Sequence, residues 1–189
     1  MHPIHDLSAR DEELRIAGLG DSLTYGWMVQ RGFFDRFCDS LARQHPRAKV
    51  TRFNEGVPGD TARGGLARLP GLLAREPHVV MVQFGLNDLF CGVEPRDFAR
   101  SLERIVEGVH AGGAVAWLVV SSPLADPDLA AAALPFYDTI RTINVDQELP
   151  LANLDAYWRE RADPCTAAGA HFLEDGVHPD EEGHALMAE

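Results

Sequence analysis

Four short stretches of this 189-residue sequence place a polar side chain beside glycine: GDSL, GVPGD, GLND and DGVHP. The first contains Ser22, and the last contains Asp175 and His178. A serine hydroxyl becomes a good nucleophile only when a base removes its proton, and histidine titrates in the range where it can do this. A carboxylate is needed to fix the histidine tautomer and to stabilise the imidazolium that forms. Ser22, His178 and Asp175 therefore have the residue types of an acyl-transfer triad.

The spacing within DGVHP suits such a pair. Asp175 and His178 are three residues apart, so one tight turn would bring the carboxylate to a ring nitrogen. Gly176 gives this turn backbone freedom, and Pro179 restricts His178 to an extended backbone. The sequence thus predicts a local Asp–His contact.

Acyl transfer also requires donors for the oxyanion of the tetrahedral intermediate. Three candidates are the backbone N–H of Ser22, the backbone N–H of Gly59 and the side-chain amide of Asn87 in GLND. Gly59 has no Cβ, so its backbone can approach a reacting atom closely. These three groups are therefore candidate donors for an oxyanion hole.

The elements that must position these residues are strands alternating with helices. Several apolar runs are continuous, which is typical of strands covered on both faces. The alternation predicts an α/β fold with a mostly parallel sheet, and ligands bind at the carboxyl ends of such strands. GDSL, GVPGD and GLND each follow a predicted strand, and DGVHP lies on the loop after the last one. The predicted strands are 14–19, 49–53, 78–84, 114–120 and 149–154.

The helical patterns differ in clarity. An amphipathic stripe at 98–109, closed by glycine, predicts one helix, and the spacing of apolar residues at 33–41 predicts another. Pro70 predicts a break or kink in the helix at 64–75. A further helix is expected to begin near Pro135, and a closing helix of about two turns follows DGVHP.

Composition narrows the possible partners. Seventeen basic and twenty-nine acidic residues give a net charge of −12, which disfavours binding to nucleic acid or to anionic membranes. No apolar run is long enough to span a bilayer, and the first thirteen residues lack the apolar core of a signal peptide. Three cysteines imply no disulfide framework. We expect one cytoplasmic domain over residues 1–189, with 1–12 as a polar extension, and no stable membrane association; the oligomeric state stays open.

The four stretches together resemble the SGNH hydrolase superfamily, specifically GDSL esterases and lipases of the lysophospholipase and thioesterase I type. The resemblance covers nearly the whole chain, with the stretches in the family's order. It implies a flavodoxin-like three-layer α/β/α sandwich with five parallel strands in the order 2-1-3-4-5. It also implies that Ser22 is the nucleophile, His178 the base and Asp175 its partner, with Ser22, Gly59 and Asn87 as the oxyanion hole. The implied activity is hydrolysis of small-molecule carboxylic esters or thioesters without a cofactor.

Two other functions stay open. Similar proteins deacetylate carbohydrates with the same machinery, and Trp27 and Trp158 are the candidate sugar platforms. A flavodoxin-like binding module is the non-enzymatic alternative, although the sequence lacks both the dinucleotide fingerprint and a phosphate-loop lysine. An α/β-hydrolase is disfavoured because the sequence contains no Gly-x-Ser-x-Gly elbow.

Other residues near the four stretches have less specific interpretations. Asp21 is expected to shape the turn around Ser22, Asp88 to brace the loop that carries Asn87, and Asn54 to tie loops together. No metal site is expected, because the histidines lack paired ligand spacing. Four apolar residues beside the motifs either line an acyl pocket or belong to the core: Leu23, Leu86, Phe90 and Val177.

Overall fold

All five predicted strands are present and pair in parallel. The computed structural model describes residues 13–161 and 171–189, so the predicted extension at 1–12 lies outside the described residues. The strand order is β2-β1-β3-β4-β5, as the family resemblance implied. The strands are β1 (Glu13–Gly20), β2 (Lys49–Gly56), β3 (Val79–Gln83), β4 (Val115–Val120) and β5 (Leu151–Asn153).

Helices cover both faces of this sheet. The chain moves across the sheet in one direction from β1 to β2 and in the opposite direction from β2 to β3. Because both crossovers between these parallel strands are right-handed, α2 lies on one face of the sheet and α3 on the other. α7 and α8 pack on the side of α2, and α5 and α6 on the side of α3. The helices are α1 (Ser22–Tyr25), α2 (Phe33–Gln44), α3 (Ala62–Leu73), α4 (Leu86–Phe90), α5 (Pro95–Ala111), α6 (Pro127–Asp146), α7 (Leu154–Arg161) and α8 (Glu181–Met187).

The burial of the strands explains why some of them are continuous apolar runs in the sequence. Every residue of β3 is buried, and so are the last five residues of β1, because helices cover both faces of these central strands. The edge strands β2 and β5 are only half-buried. The predicted apolar stripe of α5 is confirmed, and its members are all buried: Phe98, Leu102, Ile105, Val106 and Val109.

The predicted break at Pro70 and the predicted helix start near Pro135 are both wrong. α3 continues through Pro70, because the missing N–H affects only one helical hydrogen bond and the Pro70 carbonyl still accepts from Ala74 N at 3.1 Å. α6 begins at Pro127 rather than near Pro135. The Asp126 carboxylate caps it by accepting from the N–H groups of Asp128 and Leu129 at 2.8 and 2.9 Å.

DGVHP follows the last strand and precedes the closing helix, as expected. The sequence interpretation did not include α7, which directly follows β5. The seven-residue α8 matches the two turns expected. None of the helices in the described ranges is both long and apolar enough to cross a membrane.

Candidate active site

The carboxyl ends of β1, β2 and β3 open into one cleft of about 370 Å³. Every residue proposed from the sequence for catalysis, for the oxyanion hole or for an acyl pocket lines this cleft. The motifs are up to 156 residues apart in the chain, and the strand order brings them together.

The turn after β1 presents Ser22 at the floor of the cleft. Asp21 is the N-cap of the one-turn helix α1, and its Oδ1 accepts from Leu23 N at 2.9 Å. Gly20 must be glycine here, because a Cβ would lie 2.1 Å from the Thr24 hydroxyl oxygen. Asp21 therefore shapes the turn, as expected, and Ser22 becomes the first residue of α1.

Ser22, His178 and Asp175 form a continuous chain of hydrogen bonds. The His178 Nε2 atom lies 2.8 Å from Ser22 Oγ, and its Nδ1 atom lies 2.7 Å from Asp175 Oδ2. When Nδ1 carries the proton and donates to the carboxylate, Nε2 is free to accept the serine proton. Both distances are within hydrogen-bonding range, so in this tautomer the ring is oriented to accept the proton of Ser22.

The loop that carries His178 is held by its own backbone. Asp175 Oδ1 accepts from the N–H groups of Val177 and His178, each at 2.9 Å. Leu173 N donates to His178 O at 2.8 Å and closes the loop. The Gly176 carbonyl accepts from Ala125 N at 2.9 Å, which ties this loop to the one after β4.

These contacts also set the charge of Asp175. Partial burial opposes ionisation, but the hydrogen bonds from the His178 N–H and ring and from Val177 outweigh it and lower the pKa of Asp175 below its ordinary value. The carboxylate is therefore ionised near neutral pH and can stabilise an imidazolium.

The GVPGD stretch forms a β-turn that presents Gly59. Asp60 N donates to Val57 O at 3.0 Å, Pro58 occupies the second position, and Gly59 has φ +80°. This is the pattern of a type II turn, in which the third position requires a positive φ and so favours glycine. The Gly59 N–H donates to no other described residue, so it is available to an oxyanion.

Asn87 and Asp88 lie on α4, directly after β3. The Asn87 side-chain amide donates to no other residue in the described ranges. Asp88 is buried, and its two carboxylate oxygens accept from Ala62 N at 3.2 and 3.1 Å. Asp88 thus connects the loop of Asn87 to the start of α3, which agrees with the bracing role expected for it.

Asp21 contributes a second buried acid beside Ser22. Its side chain is 1% exposed, and its Oδ2 atom has no hydrogen-bond partner among the described residues. Burial raises the pKa of Asp21 to about 6, although the hydrogen bond from Leu23 N and the nearby His178 work in the opposite direction. Asp21 is therefore largely ionised at neutral pH, but it takes up a proton at a higher pH than an ordinary aspartate.

The four apolar candidates divide into two groups. Leu23 and Leu86 are 1% and 3% exposed, so they belong mainly to the core beneath the cleft. Phe90 is 48% exposed and Val177 is partly exposed, so these two present surface at the cleft wall. Trp27, 42% exposed, also lines the cleft.

The sequence interpretation missed Arg68 of α3. Its guanidinium donates to the carbonyl oxygen of Gly20, two residues before Ser22. One signal was available: Arg68 lies three residues after the buried Gly65 and four before the buried Leu72, so a charged residue interrupts the apolar stripe of α3.

Two other histidines close to the DGVHP stretch in the sequence have structural partners. His171 Nδ1 lies 3.1 Å from Glu182 Oε2, and the buried His184 Nδ1 accepts from Phe33 N at 3.1 Å. No cluster of three metal-ligating side chains occurs in the part of the chain that the structure describes. Asn54 links loops as expected, because its Nδ2 donates to Thr24 O at 2.9 Å.

A second, larger cavity lies elsewhere and lacks this chemistry. It measures about 500 Å³ and lies beneath α2, α7 and α8, with Phe37 and Trp117 among its apolar walls. Its described lining contains no serine, cysteine or histidine. The smaller cleft at the strand ends is therefore the candidate active site.

Known proteins resemble this chain in sequence and in fold. A protein of Escherichia coli (strain K12), thioesterase 1/protease 1/lysophospholipase L1, is 34% identical over 97 residues, which are 51% of this chain and 45% of that protein. The match therefore spans less than half of that relative's length. An arylesterase of Vibrio mimicus is 28% identical over 176 residues, which are 90% of this chain and 82% of that protein.

The crystal structure of a lipase/acylhydrolase from Enterococcus faecalis has the same fold. Its TM-score is 0.79 at 22% identity, over 93% of this chain and 91% of that chain. The model of the GDSL-like lipase/acylhydrolase family matches residues 19–186, which includes all four motifs and the whole candidate site. The chain belongs to the GDSL-like lipase/acylhydrolase family.

Proposed function

We propose that this protein hydrolyses carboxylic esters or thioesters through an acyl-serine intermediate. The observation that carries the proposal is the hydrogen-bond chain from Asp175 through His178 to Ser22, with distances of 2.7 and 2.8 Å. The free donors of Gly59 and Asn87 line the same cleft, where the oxyanion would form.

The proposed reaction has two halves. Ser22 Oγ attacks the carbonyl carbon while its proton moves to His178 Nε2, and the carbonyl oxygen becomes an oxyanion held by Ser22 N, Gly59 N and the Asn87 amide. When this intermediate collapses, the bond to the leaving group breaks and His178 returns the proton to it. Water then attacks the acyl-serine with His178 again as base, which releases the acid and restores Ser22.

The relatives and the cleft support acyl esters as the substrate class. The E. coli relative is named as a thioesterase and lysophospholipase, and the Vibrio relative as an arylesterase. The exposed ring of Phe90 provides an apolar wall for an acyl group beside Ser22. Leu23 and Leu86 would act mainly as its buried support.

Carbohydrate deacetylation is the second candidate, and the position of Trp27 favours it. The exposed Trp27 side chain lines the cleft and can present an aromatic face to a sugar ring. Trp158 is 4% exposed and is unsuited to this role. An acetylated oligosaccharide turned over faster than any simple acyl ester would favour this second function.

The decisive comparison is between the wild-type protein and Ser22→Ala. Both would be assayed with p-nitrophenyl acetate, butyrate and octanoate, with an acyl thioester and with an acetylated xylooligosaccharide. Loss of the nucleophile in another serine hydrolase lowers kcat about a millionfold, so we expect background rates for the variant.

Ser40→Ala on α2 is the matched control, because the Ser40 hydroxyl lies outside the cleft and accepts a hydrogen bond from the Gln44 side chain. This variant should keep the wild-type rates. Equal rates for wild type and Ser22→Ala would contradict the proposal and leave the flavodoxin-like binding module as the better interpretation.

We also propose a cytoplasmic location. Cys38 and Cys91 are free thiols, which suits a reducing compartment; Cys165 lies outside the described residues. Fractionation of cells that express the native gene tests this, and recovery of the protein from the periplasmic fraction would contradict it.

A further inference from the structure

One arginine connects the nucleophile turn to the loop that carries Gly59. Arg68 Nη2 donates to Gly20 O at 2.9 Å, and its Nε donates to Asp60 Oδ2 at 2.8 Å. Arg68 Nη1 donates to Glu55 O at 2.5 Å. A single planar guanidinium thus holds three acceptors that come from the ends of β1 and β2 and from the turn after β2.

The positions of these acceptors determine what the contact controls. Gly20 lies two residues before Ser22, and Asp60 directly follows Gly59. The Gly20 carbonyl also accepts from Val57 N, the first residue of the Gly59 turn, at 3.0 Å. The distance between the nucleophile and the Gly59 donor is therefore set by a small network with Arg68 at its centre.

We propose that Arg68 is a positioning residue that holds the Gly59 N–H in register with Ser22. The inference rests on the proposed esterase function, because only then does Gly59 face an oxyanion. Misplacing a group by about 1 Å can cost on the order of a hundredfold in rate, so this network has a direct kinetic consequence.

The contact is separable from the packing of α3. Leu69 and Leu72 anchor that helix in the core, and Asp88 holds its first turn through Ala62 N. The Arg68 side chain is 25% exposed, so truncating it opens the site to water rather than leaving a sealed cavity. Variants at Arg68 should therefore fold.

The kinetic test compares Arg68→Ala and Arg68→Lys with Arg63→Ala. Arg63 is an exposed residue of the same helix and is the matched control. With p-nitrophenyl acetate, Arg68→Ala should lower kcat by about 10- to 100-fold with a KM within about threefold of wild type. Lysine cannot bond three coplanar acceptors, so Arg68→Lys should recover only part of the loss, and Arg63→Ala should match wild type.

Chemical rescue gives a readout that a purely structural role would not. Guanidinium chloride at about 20 mM should restore part of kcat in Arg68→Ala, because the cation can occupy the same three acceptors, and should leave Asn87→Ala unchanged. If Ser22-dependent activity is present but kcat of Arg68→Ala equals wild type, the role of Arg68 is overturned and the esterase function stands.

Amide hydrogen exchange tests whether Arg68 holds the turn that carries Gly59, and it requires no enzyme assay. Peptides covering residues 56–61 contain the N–H groups of Val57 and Asp60, both hydrogen-bonded in the network. Their hydrogen–deuterium exchange should be faster in Arg68→Ala than in Arg63→Ala. Exchange that is unchanged in Arg68→Ala would overturn the inference about Arg68, whether or not the protein shows Ser22-dependent activity. A lack of Ser22-dependent activity, by itself, would refute only the proposed esterase function.

Discussion

Replacing Asp21 by asparagine should change how the stability of the protein depends on pH. The Asp21 carboxyl is buried beside Ser22, and one of its oxygens accepts from Leu23 N while the other has no partner in the described part of the chain. Asparagine has the same shape and keeps an acceptor for Leu23 N, but it cannot ionise. The variant therefore removes the titration of the Asp21 carboxyl and keeps the shape and the hydrogen bond of the side chain.

The expected size follows from the pKa of Asp21. Burial raises it from 3.8 to about 6, so the folded state holds this proton more tightly than the unfolded state. The resulting stabilisation is about 3 kcal/mol, fully present below the unfolded pKa and lost as the pH rises through the folded pKa. Between pH 4.5 and pH 8 about 2 kcal/mol of it should disappear from the wild-type protein but not from Asp21→Asn.

Urea unfolding of both proteins across this pH range measures the effect. The free energy of unfolding of Asp21→Asn, minus that of wild type, should increase by about 2 kcal/mol from pH 4.5 to pH 8. Asp138→Asn is the control, since Asp138 is an exposed carboxylate whose surface ion pair with Arg141 contributes little. A difference that stays constant with pH, or that decreases, would refute the assignment of Asp21 as a destabilised buried carboxylate.

Three further changes have distinct expected results. Asn87→Ala removes one oxyanion donor and should lower kcat by about 100- to 1,000-fold in an ester assay; a loss below about tenfold would exclude Asn87 from the oxyanion hole. Phe90→Ala removes the exposed cleft wall and should shift the preference among p-nitrophenyl esters toward longer acyl chains, while an unchanged chain-length profile would count against that wall. His184 is buried and its pKa is lowered to about 4, so it stabilises the fold above pH 6.5 and loses this contribution as the pH falls toward 4. In His184→Asn the free energy of unfolding relative to wild type should therefore decrease by about 2 to 3 kcal/mol from pH 4.5 to pH 8, and a flat difference in urea unfolding would contradict this.

The sequence was sufficient to propose the catalytic candidates because their chemistry restricts residue type. A serine, a histidine and an aspartate next to turn glycines can be recognised without coordinates, and the strand pattern predicts that they share one edge of the sheet. Ser22 and His178 are 156 residues apart in the sequence, and the strand order that brings them together is the one that the family resemblance implied.

The errors and omissions have a different physical origin. Pro70 and Pro135 were interpreted as a helix breaker and a helix start, yet both lie inside helices, where packing against the sheet offsets one lost hydrogen bond. Arg68 was missed because two of its three acceptors are backbone carbonyls, which have no signature in the sequence. Whether Leu23 or Phe90 faces the cleft was likewise undetermined, since neighbouring apolar residues differ only in the direction their side chains take.

A covalent label tests most directly whether His178 activates Ser22. A fluorophosphonate reacts with an activated serine by forming a phosphorus–oxygen bond as fluoride leaves, and the serine proton passes to the base. Mass spectrometry should find one adduct per chain, on the peptide that contains Ser22, with none in Ser22→Ala and labelling at least about 100-fold slower in His178→Ala. An adduct on another residue, or labelling of His178→Ala at the wild-type rate, would contradict the triad.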